Sequence, residues 1–370
     1  GPRKSLLSRY GVGTIDQALL GCIRAKYFPL RLFGLFGKLV VIDEVHAYDP
    51  FTGRLLDHLL YWLGEMGCSV IMLSATLSDA RRDQLLNAFV DRTEHNPLSI
   101  PATVKYPRGT IVLRQSEEVK AFPLPCSKST TRLSVRAGQR GDAVQIMENA
   151  LSDGWIGAII CNTVAGSQQI YEKIREQNPT WKVILYNARF PLFLREEIEK
   201  SLLSKVGKES IAARENRLVV VSTQVLEQSL DVDFDVIISD LCPIDSLLQR
   251  IGRMRRFLTL GLPDSARPAK LRNAKFVVLI PPEVDGLRDW ESSDKIYHAA
   301  VLNKTAELLE KKEEVNFPDD VSEWINWVYT NLPAEVEEFK EIKELKAESM
   351  IIGFNTSFEN FITTASKRDD

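Results

Sequence analysis

Two adjacent carboxylates, Asp43 and Glu44, directly follow the apolar run of residues 39–42. The run has the composition of a buried parallel strand, and the carboxyl end of such a strand faces the crevice where ligands bind. There an Asp can hold Mg²⁺ through its waters, and a neighbouring Glu can orient an attacking water molecule. The pair therefore predicts hydrolysis of a nucleotide phosphate. The alternative is that the two acidic residues simply end a strand.

Two hydroxyl side chains, Ser74 and Thr76, follow the next apolar run, residues 70–73. At the end of a neighbouring strand they can hydrogen bond across the same crevice and relay the state of a nucleotide site to a nearby surface. They can also serve as the cap of the helix predicted to follow. Their occurrence together with Asp43 and Glu44 favours the first interpretation.

An arginine-rich segment, QRIGRMRR at residues 249–256, supplies the complementary charge. Guanidinium groups make planar, bidentate contacts with phosphate, and the glycine allows the backbone to come close to a ligand. The alternative is a solvated basic turn. A polar loop at residues 222–231 precedes this segment, and it can reach a nucleic-acid backbone with Thr223 and Gln224 and a nucleotide with Asp231.

The elements that position these residues alternate along the chain. Seven short apolar runs, rich in Val and Ile, predict buried strands at KLVVID, CSVIMLSA, WIGAIICN, WKVILYN, RLVVVST, DVIISD and AKFVVLI. Helical patterns such as GRLLDHLLYWLGEMG and AGSQQIYEKIREQN lie between them. This alternation predicts an α/β fold with parallel sheets. Residues 94–140, rich in Pro and Ser, are expected to connect two α/β units, and residues from 281 onward read as acidic helices.

The composition is that of an ordinary globular chain. Of 370 residues, 44% are hydrophobic and 26% charged, with 50 acidic against 47 basic side chains. Because the charges nearly balance, the chain has no net positive electrostatic field that would favour binding of nucleic acid. A local basic groove would nevertheless suffice for such binding. The scattered cysteines (Cys22, Cys68, Cys126, Cys161 and Cys242) predict reduced thiols in a cytoplasmic protein. No membrane span or signal peptide is expected, and the initial Gly-Pro reads as a scar of tag removal.

The ordered motifs DEVH, SAT, CNT, STQVLEQSLDVDFD and QRIGRMRR resemble those of superfamily 2 helicases, which carry two RecA-like domains with ATP bound between them. Within that superfamily, GVGTIDQALL, DEVHAYDP and EQSLDVDFD are most similar to the CRISPR-associated helicase-nuclease of type I interference systems. The resemblance is specific from residue 8 to about 260 and weaker beyond. It implies the C-terminal part of a first RecA-like domain in residues 1–125, a complete second one in 126–282, and a helical linker in 283–370.

The resemblance also implies a role for each matching residue. Asp43 and Glu44 bind Mg²⁺ and activate water, His46 and Gln249 couple the domains, and Arg253 and Arg256 are arginine fingers. Ser74 and Thr76 couple hydrolysis to strand movement, and Asp231 contacts the nucleotide. The residues that contact the backbone of single-stranded DNA are Thr14, Thr163, Thr223 and Gln224. The implied cofactors are ATP and Mg²⁺, and the implied partner is an RNA-guided surveillance complex.

One part of a helicase site is missing from the sequence. A phosphate-binding loop needs G-x-x-x-x-G-K-[ST], and Gly37-Lys38 fails because Leu32 replaces the first glycine and Leu39 the hydroxyl. No His is followed by Asp, so no histidine-aspartate nuclease site is predicted either. We expect an excised piece that hydrolyses little ATP alone, separated from the nuclease and phosphate-loop portions. The alternatives are a non-catalytic half-helicase that binds nucleic acid or a complementing subunit, and a DExH RNA helicase.

Overall fold

The computed structural model describes residues 7–350 except 24, 46–49, 94, 102–103, 153, 209, 211–216, 228–229, 258–267, 286, 334–335, 337–342, 345 and 348–349. The described residues form two compact units. Unit 1 takes its residues from Gly1–Pro125 and Pro333–Asp370, and unit 2 takes its residues from Cys126–Leu332. Each unit is α/β, which confirms the predicted fold class.

Unit 1 is built on two parallel strands, β1 (Leu39–Ile42) and β2 (Ser69–Met72), paired in the register Leu39↔Ser69 to Ile42↔Met72. Apolar residues at helical spacing line one face of the long helix between the strands, and five of its leucines are buried in the core of this unit. The helices are α1 (Ile15–Leu19), α2 (Phe28–Leu35), α3 (Pro50–Glu65) and α4 (Asp79–Val90). An antiparallel hairpin of β3 (Arg108–Leu113) and β4 (Glu118–Pro123) follows.

Unit 2 contains a seven-stranded sheet in the order β13-β5-β10-β9-β6-β8-β7, parallel except for β13 at one edge. Every residue of its four central strands is buried, as their continuous apolar sequences predict. The strands are β5 (Ser129–Ala137), β6 (Ile156–Ile160), β7 (Lys182–Tyr186), β8 (Leu218–Ser222), β9 (Val236–Asp240), β10 (Phe276–Ile280) and β13 (Glu314–Phe317).

Helices cover the sheet of unit 2, and one small hairpin follows its sixth strand. The helices are α5 (Ala143–Ala150), α6 (Val164–Gln177), α7 (Leu192–Val206), α8 (Ile244–Ile251), α9 (Ala269–Arg272), α10 (Ala299–Leu309) and α11 (Asp319–Thr330). The hairpin pairs β11 (Glu283–Val284) with β12 (Leu287–Arg288). All seven apolar runs singled out in the sequence are strands.

Two stretches differ from expectation. The predicted connector, residues 94–140, contains the hairpin β3–β4 and also β5, which pairs with β10 from Leu133 onward. Residues 283–332, expected to begin a separate helical region, belong to unit 2 because β13 pairs with β5 and α11 packs on α8 and α10. The two unpredicted strands of this sheet, β13 at its edge and β5 beside it, have alternating or polar sequences in place of continuous apolar runs.

Candidate nucleotide and nucleic-acid site residues

In unit 1 the two carboxylates lie immediately beyond β1, as predicted. Asp43 is exposed and Glu44 is partly exposed. Glu44 has a positive φ of 54°, and its N–H donates to Asp43 Oδ1 at 2.9 Å. A positive φ is uncommon for a side chain other than Gly, and such conformations occur often at functional sites. The backbone therefore turns sharply where the two carboxylates leave the sheet.

The hydroxyl segment lies beside the carboxylate segment. Leu73 N donates to Ile42 O at 2.9 Å, and Val45 N donates to Leu73 O at 3.2 Å, so hydrogen bonding between the two segments continues past the ends of the strands. Ser74 is partly buried and Thr76 is buried. The structure thus brings Asp43, Glu44 and Ser74 to one edge of the β1–β2 sheet. The interpretation as a simple cap fails for the following helix, because Ser78 caps α4 by accepting from Arg81 N.

The donor chemistry of this edge fits Mg²⁺, which binds carboxylate oxygens and retains several waters. Within the described residues no group of three or more His, Cys, Asp or Glu side chains could hold a metal ion by themselves. Two carboxylates at an open edge leave coordination positions for water and for phosphate oxygens. His46, the predicted domain-coupling residue, lies outside the described residues, and its predicted partner Gln249 lies partly exposed on α8.

In unit 2 the predicted nucleic-acid residues lie at the carboxyl edge of adjacent parallel strands. Thr163 follows β6, and Thr223 and Gln224 follow β8, which pairs with β6. Thr163 is partly exposed, and its hydroxyl oxygen accepts from Gly166 N at 3.0 Å as the N-cap of α6. Because the oxygen acts as acceptor there, the O–H remains able to donate to another acceptor. Cap and ligand contact are therefore compatible at Thr163.

The other predicted nucleic-acid residues differ in accessibility. Thr223 is buried, with a relative exposure of 2%. Gln224 Nε2 donates to Asn162 O at 2.8 Å and to Tyr297 Oη at 3.0 Å. Thr14, in unit 1, is exposed at the start of α1, and its side chain makes no capping hydrogen bond. Nucleic-acid contact by these side chains stays a prediction, and for Thr223 it requires the side chain to become exposed.

A buried polar network lies beneath this edge of unit 2, and Arg250 is at its centre. The guanidinium is fully buried on α8 and donates to Glu227 Oε1 at 2.7 Å, Ser239 Oγ at 2.8 Å and Asn162 Oδ1 at 3.0 Å. These partners come from the segment after β8, from β9 and from the segment after β6. One arginine therefore ties three neighbouring segments to α8.

A second buried ion pair adjoins this network. Arg140 Nε donates to Asp240 Oδ2 at 2.8 Å, and the same oxygen accepts from Asn162 N at 2.9 Å. Asn162 Nδ2 also donates to Ser293 Oγ at 3.0 Å, and Arg140 N donates to Glu291 Oε2 at 3.0 Å. The chain that follows β12 is thereby anchored over the carboxyl edge of the sheet.

Burial governs the protonation of these groups. Burial opposes the charge on Arg250, but the surrounding groups, Glu227 among them, hold the guanidinium pKa above its ordinary value. Burial raises the pKa of Glu227, and the Arg250 charge opposes that rise. Burial also raises the pKa of the Tyr297 phenol. Removing one partner of a buried pair leaves an uncompensated charge, so the network strongly constrains the segments it joins.

The predicted arginine fingers occupy the turn after α8. Arg253 Nη2 donates to the Glu227 carbonyl at 2.5 Å, while Arg253 Nε is buried and makes no hydrogen bond with any described residue. Arg256 Nε pairs with Asp231 Oδ1 at 2.9 Å, so the structure brings together two residues predicted to contact the nucleotide. Arg255 donates inward to Leu271 O. The segment is therefore not merely a solvated basic turn.

The sequence interpretation missed Arg250, Glu227 and Asn162 as elements of the site. One signal was present in the sequence, because Arg250 falls between Leu247 and Ile251, whose spacing is that of one apolar helix face. A charged residue on such a face requires a buried partner. Its partners could not be identified in advance, since Glu227 is 23 residues and Asn162 is 88 residues away along the chain.

The remaining sequence predictions concern cysteines and membrane spans. All five cysteines are free, and all but Cys126 are buried. Burial raises the pKa of Cys161 and Cys242, which favours their thiol forms. Among the residues that the structure describes, no helix has the length and apolar character needed to cross a bilayer.

Comparison with known proteins supports the resemblance seen in the motifs. Residues 153–259 match the family described as CRISPR-associated nuclease/helicase Cas3, C-terminal. The chain is 33% identical, over 88% of its length, to a CRISPR-associated endonuclease/helicase Cas3 of Thermus thermophilus, of which it covers 38%. It is 32% identical, over 94% of its length, to a nuclease/helicase Cas3 of Streptococcus thermophilus, of which it covers 39%. The chain thus spans about two fifths of these relatives.

Solved structures are similar over nearly the whole chain. The crystal structure of T. fusca Cas3 with AMPPNP matches 95% of this chain with a TM-score of 0.85 and 33% identity, and 42% of that protein is covered. A chain in a CRISPR RNA-guided surveillance complex, in a pre-nicking state, matches 95% of this chain with a TM-score of 0.85 and 32% identity, and 46% of it is covered.

Proposed function

The chain belongs to the Cas3 family of CRISPR-associated nuclease/helicases, and on that premise we propose that it forms part of an ATP-dependent motor that moves along single-stranded DNA. The observation that carries the proposal is the pairing of the segments after β1 and β2, which brings Asp43 and Glu44 beside Ser74. This is the arrangement expected of an edge that hydrolyses a nucleotide and passes its state to a second segment.

Asp43 and Glu44 would supply the two carboxylates that act in hydrolysis. When bound, Mg²⁺ would neutralise charge on the phosphate oxygens. Asp43 is the exposed carboxylate and would hold the ion through water molecules. Glu44 would accept a hydrogen bond from the attacking water and orient it as a general base. The T. fusca homologue, solved with AMPPNP, with ATP and with ADP, supports the assignment of ATP as the nucleotide.

Arg253 and Arg256 would supply the positive charge that faces the phosphate. An arginine finger stabilises charge on the transferring phosphoryl group and is worth ~10³ to 10⁵ in rate. Arg253 has a buried Nε without a partner among the described residues, and this donor is suited to an anionic oxygen. Arg256 would exchange its ion pair with Asp231, which is itself exposed, for a phosphate.

The carboxyl edge of unit 2 would contact the single-stranded DNA backbone. Thr163 retains a hydroxyl proton for a phosphate oxygen, and Thr14 is exposed in unit 1. Thr223 and Gln224 would contribute after the loop that follows β8 rearranges. By analogy with the family, the motor would move 3' to 5' along the DNA after an RNA-guided surveillance complex has recruited it. In the intact protein this movement would be coupled to degradation of the DNA by the nuclease in type I interference. A similar chain occurs in a solved CRISPR RNA-guided surveillance complex, and this supports the proposal of such a complex as the partner.

The direct test is translocation by the full-length protein that carries this chain. The substrate is single-stranded DNA with streptavidin bound to a biotin at either end, and displacement is followed with and without ATP. We expect ATP-dependent displacement from the 5' end and none from the 3' end. Equal displacement from a matched RNA would favour the DExH RNA helicase alternative. Displacement that continues without ATP would contradict the motor.

The absence of G-x-x-x-x-G-K-[ST] from the 370 residues favours a second candidate for the chain by itself, a non-catalytic binding module. Backbone N–H groups and a lysine normally surround the phosphates, and this chain supplies no such loop. We expect the isolated chain to bind single-stranded DNA without sustained ATP hydrolysis. Fluorescence anisotropy with labelled oligonucleotides, together with a phosphate-release assay, separates the two activities. Robust turnover by the isolated chain would contradict this expectation.

A further inference from the structure

Glu227 contacts both ends of the segment that leads to the predicted finger Arg253. Its side-chain Oε1 accepts from Arg250 Nε at 2.7 Å on the last turn of α8. Its backbone carbonyl accepts from Arg253 Nη2 at 2.5 Å, just beyond the helix. One residue of the loop after β8 is therefore bonded to the base and to the tip of the finger segment.

The ion pair of Glu227 with Arg250 is shielded from water, and the contact with Arg253 is partly buried. The relative exposure of Glu227 is 5% and that of Arg250 is zero, so solvent cannot replace either partner. Glu227 also ends the short 3₁₀ helix Gln224–Leu226, where its N–H donates to Gln224 O at 2.9 Å. Because both the side chain and the backbone of Glu227 are held, its carbonyl has a fixed position. Among the described residues, this carbonyl is the acceptor that Arg253 Nη2 contacts.

The same turn begins with the predicted nucleic-acid residues Thr223 and Gln224. Gln224 Nε2 donates to Asn162 O at 2.8 Å, and Asn162 Oδ1 accepts from Arg250 Nη2 at 3.0 Å. The short 3₁₀ helix is thus fixed at its start through Asn162 and at its end through Glu227. A displacement of Gln224 on binding nucleic acid would change the contacts that hold both Arg250 and Arg253.

We propose that Glu227 is a positioning residue that sets the location of the Arg253 guanidinium and couples it to the turn carrying Thr223 and Gln224. The inference rests on the proposed function, in which Arg253 contacts the nucleotide. It concerns Arg253 because that side chain donates to the Glu227 carbonyl, whereas Arg256 pairs with Asp231 and Arg255 donates to Leu271 O.

The experiment measures single-stranded-DNA-stimulated ATP hydrolysis by the full-length protein. Glu227→Gln keeps the shape of the side chain and removes its charge. We expect kcat per folded molecule to fall by about 10- to 100-fold, as misplacement of a catalytic group by roughly 1 Å does. The KM for ATP should change much less. Glu172→Gln, an exposed glutamate on α6, is the matched control and should equal the wild type.

Two further variants separate positioning from folding. Glu227→Gln paired with Arg250→Met removes both charges of this buried pair, so we expect thermal stability to recover most of what Glu227→Gln loses. The kcat should nevertheless stay low, because the carbonyl that holds Arg253 is no longer anchored. In an Arg253→Ala background, Glu227→Gln should lower kcat no further, since residues that act through one another are not additive.

Several results would overturn the inference. One is wild-type kcat in Glu227→Gln. Another is recovery of kcat together with stability in the paired variant, which would reduce Glu227 to a folding role. A full additional loss in the Arg253→Ala background would show that Glu227 acts elsewhere. Absence of ATP hydrolysis in the wild type is a distinct outcome that removes the proposed function and this inference with it.

Discussion

The two units carry their predicted site residues on very different sheets. In unit 2 every residue of β6, β8, β9 and β10 is buried, so helices cover both faces of the central sheet. In unit 1 the β1–β2 pair has one apolar face in contact with solvent: Leu39 is 61% exposed, Val41 55%, Ile71 44% and Leu73 47%. Parallel sheets are normally covered on both faces, and in the 370-residue chain the sheet of unit 2 is covered in this way.

The difference extends to the support beneath each set of site residues. Asp43 and Glu44 project from a two-stranded sheet with one exposed apolar face. Gln224 and Arg253 follow strands and a helix of a seven-stranded unit and are joined through Asn162, Arg250 and Glu227, and Thr163 directly follows Asn162. The predicted site residues are therefore held with unequal rigidity within one chain. In the 370-residue chain we expect the acidic edge of unit 1 to be less stable than the carboxyl edge of unit 2.

Hydrogen exchange should show the largest contrast. In the 370-residue chain, backbone amides of β6, β8 and β9 are expected to exchange about a hundredfold or more slowly than those of β1 and β2, because local opening of a sparsely covered sheet costs far less free energy. Mass spectrometry of peptides from the two sheets provides the measurement. Equal protection in β1 and β8 would contradict the comparison.

A matched substitution in the two sheets should separate them energetically. Val220→Ala in β8 removes a fully buried side chain, and we expect the free energy of unfolding to fall by about 2 kcal/mol. Val41→Ala in β1 removes a side chain that is 55% exposed, with an expected loss below about 1 kcal/mol. Urea denaturation of both variants measures the difference. A larger loss for Val41→Ala would mean that the exposed face of β1 is covered in solution.

Capping threonines should give the smallest contrast. Thr163 Oγ1 accepts from Gly166 N, so Thr163→Ala is expected to lower the free energy of unfolding by about 1 kcal/mol, and Thr163→Ser should keep most of it. Thr14 makes no such bond at the start of α1, so Thr14→Ala should cost only a few tenths of a kcal/mol. Thermal unfolding measures both values. Equal losses at the two positions would show that the cap at Thr163 contributes little.

The sequence predicted the central parts of the fold better than the edges. Seven apolar runs identified strands β1, β2 and β6 to β10, because buried parallel strands have continuous apolar sequences. β5 was missed because only Leu133 of its nine residues is fully buried, and β13 because its short sequence, EVNF, alternates with polar residues. β13 has one neighbouring strand, and each half of β5 pairs on one side only, with β13 over Ser129–Arg132 and with β10 over Leu133–Ala137, so both sequences carry a weaker pattern.

The same distinction applies to the site. Asp43, Glu44 and Ser74 were predictable as neighbours because each lies within two residues of the end of a strand, and local sequence places it at an edge of the sheet. The buried pair of Arg250 with Glu227 depends on side chains that meet only in the folded chain. Asp231 and Arg256 were each assigned to the nucleotide, but their ion pair with one another was not foreseen. Motifs identify functional residues, whereas the contacts that hold them require tertiary structure.

The measurement that tests the central claim most directly is single-stranded-DNA-stimulated ATP hydrolysis by the full-length protein with and without Glu44→Gln. The substitution removes the proposed base while preserving side-chain shape, and Glu65→Gln at the end of α3 in the same unit serves as the control. We predict a loss of ~10² to 10⁴-fold in kcat for Glu44→Gln, the range for a general base, with unchanged thermal stability. Wild-type turnover in Glu44→Gln would contradict the assignment of this acidic edge as the hydrolytic site.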